Sequence, residues 1–306
     1  MENIASHAQR RTSETLVAVW LLMLTASILP DILFNEFLTL SLPNLLWIKL
    51  GLLLLAIGGS FIWDVLKPTR FFTIFLVLLL LIESLRAMIL ESPDWQGYFG
   101  GSSPTFTEWM LGNQLLRVGA ALLMIGMLFI WRGKSGLVYV KPGRLHAEVQ
   151  PIPLLGIKAG EITWARFGWL AALAIGAGTA VFLFANGTLQ ADALTDLLPL
   201  MPFDLLFAAM NAFAEEVSYR AVLLAPLKAV VSPHQAVVLT ALFFGIAHFY
   251  GVPYGVLGVV MATILGWLLS KSMIETEGIF WPWVIHFVQD VLIFSFMALG
   301  FVVPGG

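Results

Sequence analysis

The chain has 306 residues and a formal net charge of −3, with 59% hydrophobic and only 11% charged residues. Ordinary soluble domains carry roughly 45–50% apolar and about 25% charged residues, so too few charges remain for a water-facing surface, and a soluble enzyme or a disordered tail is excluded. No basic stripe is left after the membrane flanks are counted, which excludes nucleic acid as a partner. The absence of cysteine rules out disulfides and thiolate metal sites.

Apolar runs approaching the ~20 residues of a membrane-spanning helix fall near 13–34, 44–66, 70–91, 110–131, 164–186, 203–228, 235–250, 253–270 and 280–302. The seventh and eighth are short and separated by Gly251-Val252-Pro253, giving two tilted helices or one interrupted element. The expected fold class is therefore an all-α, polytopic membrane helical bundle of eight or nine transmembrane helices. The ten-residue alternation of a barrel is missing. Arg10 and Arg11 precede the first run, but Thr12-Ser13-Glu14 is not apolar and no small-residue cleavage site follows, so a retained signal-anchor is expected.

Lys67 and Arg70 lie between runs two and three. Arg132, Lys134, Lys141, Arg144, Lys158 and Arg166 lie around runs four and five, and Lys228 and Lys271 follow runs six and eight. The alternate loops are acidic: Asp31 and Glu36, then Glu91, Asp94 and Glu108, then Asp192 and Asp196. This bias predicts an integral membrane protein, in a cell or inner membrane, with a cytoplasmic N-terminus. Residues 132–162 form the longest polar stretch. Leu137-Val138-Tyr139-Val140 before Lys141-Pro142-Gly143-Arg144 has the composition of a strand and turn, but the favoured reading is a cytoplasmic linker on the lipid surface. It separates a four-span region, 1–131, from a bundle, 163–306; Val302-Val303-Pro304-Gly305-Gly306 is expected to be an unstructured end.

Charges inside apolar runs are costly, at least ~2.5–3.5 kcal/mol at the bilayer centre, and mark functional sites. The sixth run holds Asn211-Ala212-Phe213-Ala214-Glu215-Glu216-Val217-Ser218-Tyr219-Arg220. In a regular helix Glu216 and Arg220 are i and i+4 and pair, whereas Glu215, rotated about 100°, gets no partner from its own helix. It is placed as a general base. The seventh run carries Phe244-Gly245-Ile246-Ala247-His248; a lone histidine there is more often a hydrogen-bonded core residue than a catalyst. The last run carries Trp281-Pro282-Trp283-Val284-Ile285-His286-Phe287-Val288-Gln289-Asp290, where His286 and Asp290 share a face and the carboxylate can orient the ring. Trp281 and Trp283 are expected as interfacial anchors. With both histidines neutral, Glu215, Glu216, Arg220 and Asp290 leave two uncompensated negative charges. A shared proton, a charged histidine or a bound cation would resolve them, all features of an acid–base or metal centre.

Glu215-Glu216-x-x-x-Arg220, Phe244-x-x-x-His248 and His286-x-x-x-Asp290 resemble, in order and spacing, the three motifs of the CAAX protease and bacteriocin-processing family (CPBP, or Abi), which is related to type II CAAX prenyl endopeptidases. The resemblance covers roughly residues 160–303. It implies an intramembrane endopeptidase acting on a membrane-tethered peptide or protein, in which Glu215 and His248 activate water, His286 and Asp290 face the oxyanion, and Glu216 and Arg220 assist or hold the site. Ala221 and Ser218-Tyr219 depart from the family pattern. So does Asp290, since an ionised carboxylate cannot donate to an oxyanion.

The expected cofactor is none. The alternative is one zinc ion on Glu215, His248, His286 and Asp290, although the His-Glu-x-x-His helix that favours zinc is missing. Glu215 and His248 sit deep in their runs while His286 lies near the start of its own, so a shared site requires the backbone before the last helix to dip inward beside a wet, cytoplasm-facing cavity. A proton-coupled transporter and a non-catalytic immunity or scaffolding protein are the competing readings. The missing internal repeat argues against the first, and the complete motif set against the second.

Overall fold

The computed structural model describes residues 2–40, 42–101, 103–186 and 193–302. Val303–Gly306, expected as part of an unstructured end, and Asp192 of the third acidic loop lie outside the described residues. Each apolar run becomes helix. In chain order the helices are α1 (Glu2–Ala26), α2 (Leu29–Ile32), α3 (Leu45–Gly59), α4 (Arg70–Glu91), α5 (Pro93–Phe99), α6 (Phe106–Arg132), α7 (Trp164–Asn186), α8 (Ala193–Leu197), α9 (Met201–Glu216), α10 (Val222–Leu227), α11 (Pro233–Ala247), α12 (Val256–Thr276) and α13 (Phe280–Val302). The protein is an all-α polytopic membrane protein. Among the described residues five helices are long and apolar enough to cross a membrane, or six with the bent pair Ser13–Ala26 and Leu29–Phe37 counted as one; Leu45–Gly59 and Pro233–Ala247 are shorter apolar helices.

Boundaries move where side chains break the ladder. The first run bends by 60°, where Pro30 lacks a donor and Ser27 Oγ accepts from Leu29 N at 3.1 Å. The second run stops at Gly59 instead of continuing to 66, because Arg70 binds the Ser60 hydroxyl at 2.8 Å and its carbonyl at 2.7 Å and covers the Phe61 ring. The sixth run is interrupted by a π-helical turn over Val217–Ala221, immediately after Glu216, so the regular i, i+4 register expected for Glu216 and Arg220 does not run through it.

Two compact units divide the chain: Met1–Ile82 with Tyr219–Ile274, and Glu83–Ser218 with Glu275–Gly306. Each draws on segments from both sides of residues 132–162. In the first unit, Ile32, Ile246 and Phe249 form one apolar cluster, and the buried Lys49 binds Asp31 at 2.8 Å. Gly245 lets α11 pass close to α12, since a Cβ there would meet the Val259 carbonyl and the Thr263 side chain.

In the second unit, α9 and α13 are antiparallel neighbours. Descending α9 and ascending α13 pairs Glu216 with His286, Asn211 with Asp290, and Asp204 with Ser295, at 2.8, 3.0 and 2.5 Å. Phe106 and Met110 of α6, Phe207 and Ala208 of α9, and Phe294 and Ala298 of α13 close the core at one end. At the other end lies the polar stretch. Residues 136–140 are turn rather than strand, and the only β pairing among the described residues is two isolated bridges, Glu148 with Thr163 and Ile152 with Ile157.

The stretch straps the start of α13. Arg144 N donates to Thr276 O at 2.7 Å, Ile279 N to Lys141 O at 2.9 Å, and Trp281 Nε1 to Leu145 O at 2.9 Å. Glu275 Oε2 accepts from Gln150 N and Trp164 Nε1 at 3.0 and 2.9 Å. Trp281 is thereby buried, and Trp283 donates to Ala209 O at 3.0 Å. Each indole N–H thus has a carbonyl partner, which the sequence does not reveal.

Candidate active site

Glu215 and Glu216 close the last turn of α9, and His286 and Asp290 stand on the facing side of α13. All four are buried. The His286 ring lies among three carboxylates: Nδ1 is 2.8 Å from Glu216 Oε1, while Nε2 is 3.7 Å from Glu215 Oε2 and 3.5 Å from Asp290 Oδ1. Only the first is a hydrogen bond. The carboxylate that orients the ring is therefore Glu216, from another helix, rather than Asp290 four residues along its own.

Asp290 is itself held. Its Oδ2 accepts from Asn211 Nδ2 at 3.0 Å, and Asn211 Oδ1 lies 3.4 Å from Gln114 Nε2 on α6. One turn along α6, Arg117 Nη1 donates to Glu215 Oε1 at 2.7 Å. Three carboxylates thus face one guanidinium and one imidazole in this unit. The partner that its own helix denies Glu215 comes from α6. Asn211, Gln114 and Arg117 were not among the predicted site residues. The intramembrane-charge criterion reaches Arg117, which stands near the middle of the fourth run; the two amides are uncharged and give no such signal.

Arg220 and His248 belong to the other unit. There the Arg220 guanidinium lies over the Phe244 ring at 4.1 Å, and the His248 ring contacts the opposite end of the motif, 4.3 Å from the same ring. His248 Nδ1 is 2.8 Å from Phe244 O. A carbonyl only accepts, so Nδ1 carries the proton of that bond, and in the neutral ring Nε2 is the basic nitrogen. The phenylalanine of the second motif thus serves Arg220 by its face and His248 by its backbone.

The unit with α9 and α13 also contains an apolar cavity of about 150 Å³ lined by Val140, Pro142, Phe213, Ile279, Phe280 and Trp283. None of the predicted site residues lines it, so it is not the polar cavity expected from the sequence. Among the described residues no group of three or more His, Asp or Glu is arranged to hold a metal ion.

Residues 197–292 match the family described as Rce1-like, type II CAAX prenyl endopeptidase. That segment contains every predicted site residue and agrees with the resemblance carried by the three motifs, over a shorter stretch than 160–303. No curated protein and no solved structure matches the chain.

Proposed function

We propose that this protein is an intramembrane endopeptidase that hydrolyses a peptide bond of a membrane-tethered peptide or protein by carboxylate-activated water. The observation that carries the reading is the pairing of Glu215 with His286 on facing helices, 3.7 Å apart, with Glu216 holding the far nitrogen of the ring. The match to a family of endopeptidases over the segment bearing these residues supports the reaction class.

In this reading Glu215 takes a proton from water as the oxygen attacks the scissile carbonyl carbon. The π bond becomes an oxyanion, and His286, as the imidazolium, donates to it through Nε2 while Nδ1–H stays on Glu216. The C–N bond then breaks, and the leaving amine takes the proton from Glu215. Asp290 accepts from Asn211 and stands 3.5 Å from His286 Nε2, so it adds negative charge beside the imidazolium and does not itself donate to the oxyanion. His248 and Arg220 enter on motif position, with His248 Nε2 as a second basic atom for the water. The N-terminus and residues 132–162 face the cytoplasm.

The test is turnover of a membrane-tethered peptide library by purified protein. Glu215→Gln, His248→Ala and His286→Ala are each expected to lower kcat by at least roughly 10²–10⁴-fold with the thermal transition retained. Full turnover by Glu215→Gln overturns the reading. Metal-independent chemistry further predicts unchanged activity after EDTA and phenanthroline; loss that added zinc restores establishes the metal-dependent mechanism instead.

A further inference from the structure

We propose that Arg117 is a positioning residue for Glu215, so that α6, outside the family-matched segment, completes the hydrolytic site. The inference rests on the reading of Glu215 as the water-activating carboxylate. Arg117 Nη1 donates to Oε1 of that carboxylate at 2.7 Å, while Oε2 is turned toward His286 Nε2, 3.7 Å away. A charge-assisted bond on Oε1 fixes the rotation of the carboxylate and with it which oxygen meets the water. Without it the group turns about its own axis, and a displacement of this order costs about 10²-fold in rate.

A generic ion pair would not require this placement. Arg117 sits in the interior of an apolar 27-residue helix, where a guanidinium is expensive unless it has a dedicated partner. The same helix face carries Gln114, one turn earlier, which reaches Asn211 and through it Asp290. Thus α6 touches both ends of the Glu215–His286–Asp290 group. The Arg117 side chain is 34% exposed against 11% for Glu215, so the arginine is the less buried member of the pair, and its removal leaves a space that a small cation fits.

The experiment compares Arg117→Ala, Arg117→Lys and Glu215→Gln in the purified full chain, with and without added guanidinium chloride and against an equal concentration of sodium chloride. Arg117→Ala is expected to lower kcat about 10²-fold with little change in KM. Guanidinium, but not sodium, should restore at least a tenfold portion, and Arg117→Lys should keep more turnover than Ala. Native kcat in Arg117→Ala overturns the proposal. So does a loss that neither guanidinium nor lysine relieves, which marks a structural pair only. If Arg117→Ala does not fold, Arg117→Lys against Arg117→Gln decides by the same kcat comparison: equal turnover in the two overturns the proposal. Inactive Glu215→Gln beside fully active Arg117→Ala removes Arg117 alone, whereas active Glu215→Gln removes the underlying reading.

Discussion

The His286 ring is held through Nδ1, and whatever accepts that proton decides which nitrogen faces the reaction. Glu216 Oε1 does so at 2.8 Å, and Glu216 is fully buried. A glutamine at 216 preserves the shape but removes the carboxylate charge that the His286 imidazolium faces, so the ring is no longer held as the charged donor to the oxyanion. Glu216→Gln is therefore expected to lower kcat by roughly 10²–10⁴-fold at nearly unchanged thermal stability; single-turnover cleavage beside a melting curve checks it, and native kcat would reassign Glu216 to packing. The adjacent carboxylates were legible in the sequence as a pair with unequal roles. Two partners that the fold adds, His286 for Glu216 and Arg117 for Glu215, were not, because they lie on other chain segments. Arg117 was within reach of the rule that singled out Glu215, since both are charges inside an apolar run.

At the scale of elements, the helices were legible because burial in lipid demands long apolar runs. Their interruptions were not. The π-helical turn after Glu216 and the early end of α3 depend on contacts made only in the folded chain. The strap over α13 shows the same limit: Leu137-Val138-Tyr139-Val140 has strand composition, yet among the described residues no strand pairs with it. Its tightest point is the crossing of Gly143 and Gly278, where a Cβ on either residue would fall against the other's backbone, and Gly143 has φ +86°. Alanine at 143 meets both the steric contact and a backbone conformation unfavourable to L side chains. Gly143→Ala is expected to destabilise the protein by roughly 1–3 kcal/mol and to lower turnover, because the strap fixes the start of the helix that carries His286. Thermal denaturation in detergent and kcat measure the two effects. Gly143→Ala/Gly278→Ala should cost less than the sum of the single variants, since both open one contact.

For the whole molecule, the arrangement within one unit constrains which loops share a side of the membrane. The strap, which follows α6, is bound to residues 275–281 at the start of α13. Phe106, Leu197 and Leu200 gather instead with Phe294 and Ala298, far along α13. The first set is basic and the second follows acidic loops, so the charge bias and the packing sort these segments in the same way. The helices α3 and α11, with 15 residues each, reach only about 22 Å along the axis, short of a hydrocarbon core of about 30 Å, so the span count turns on them. The absence of native cysteine makes this directly measurable with single cysteines. Lys134→Cys, Lys158→Cys and a cysteine at Glu2 should resist an impermeant maleimide in intact cells and react once the membrane is opened, while Asp94→Cys should react from outside without opening. Exterior labelling at 134 and 158 reverses the orientation. Protection at 134 and 158 with exterior labelling at Glu2 means that an odd number of the segments before residue 132 cross the membrane, and α3 is the helix whose length makes it the first to fail as a span.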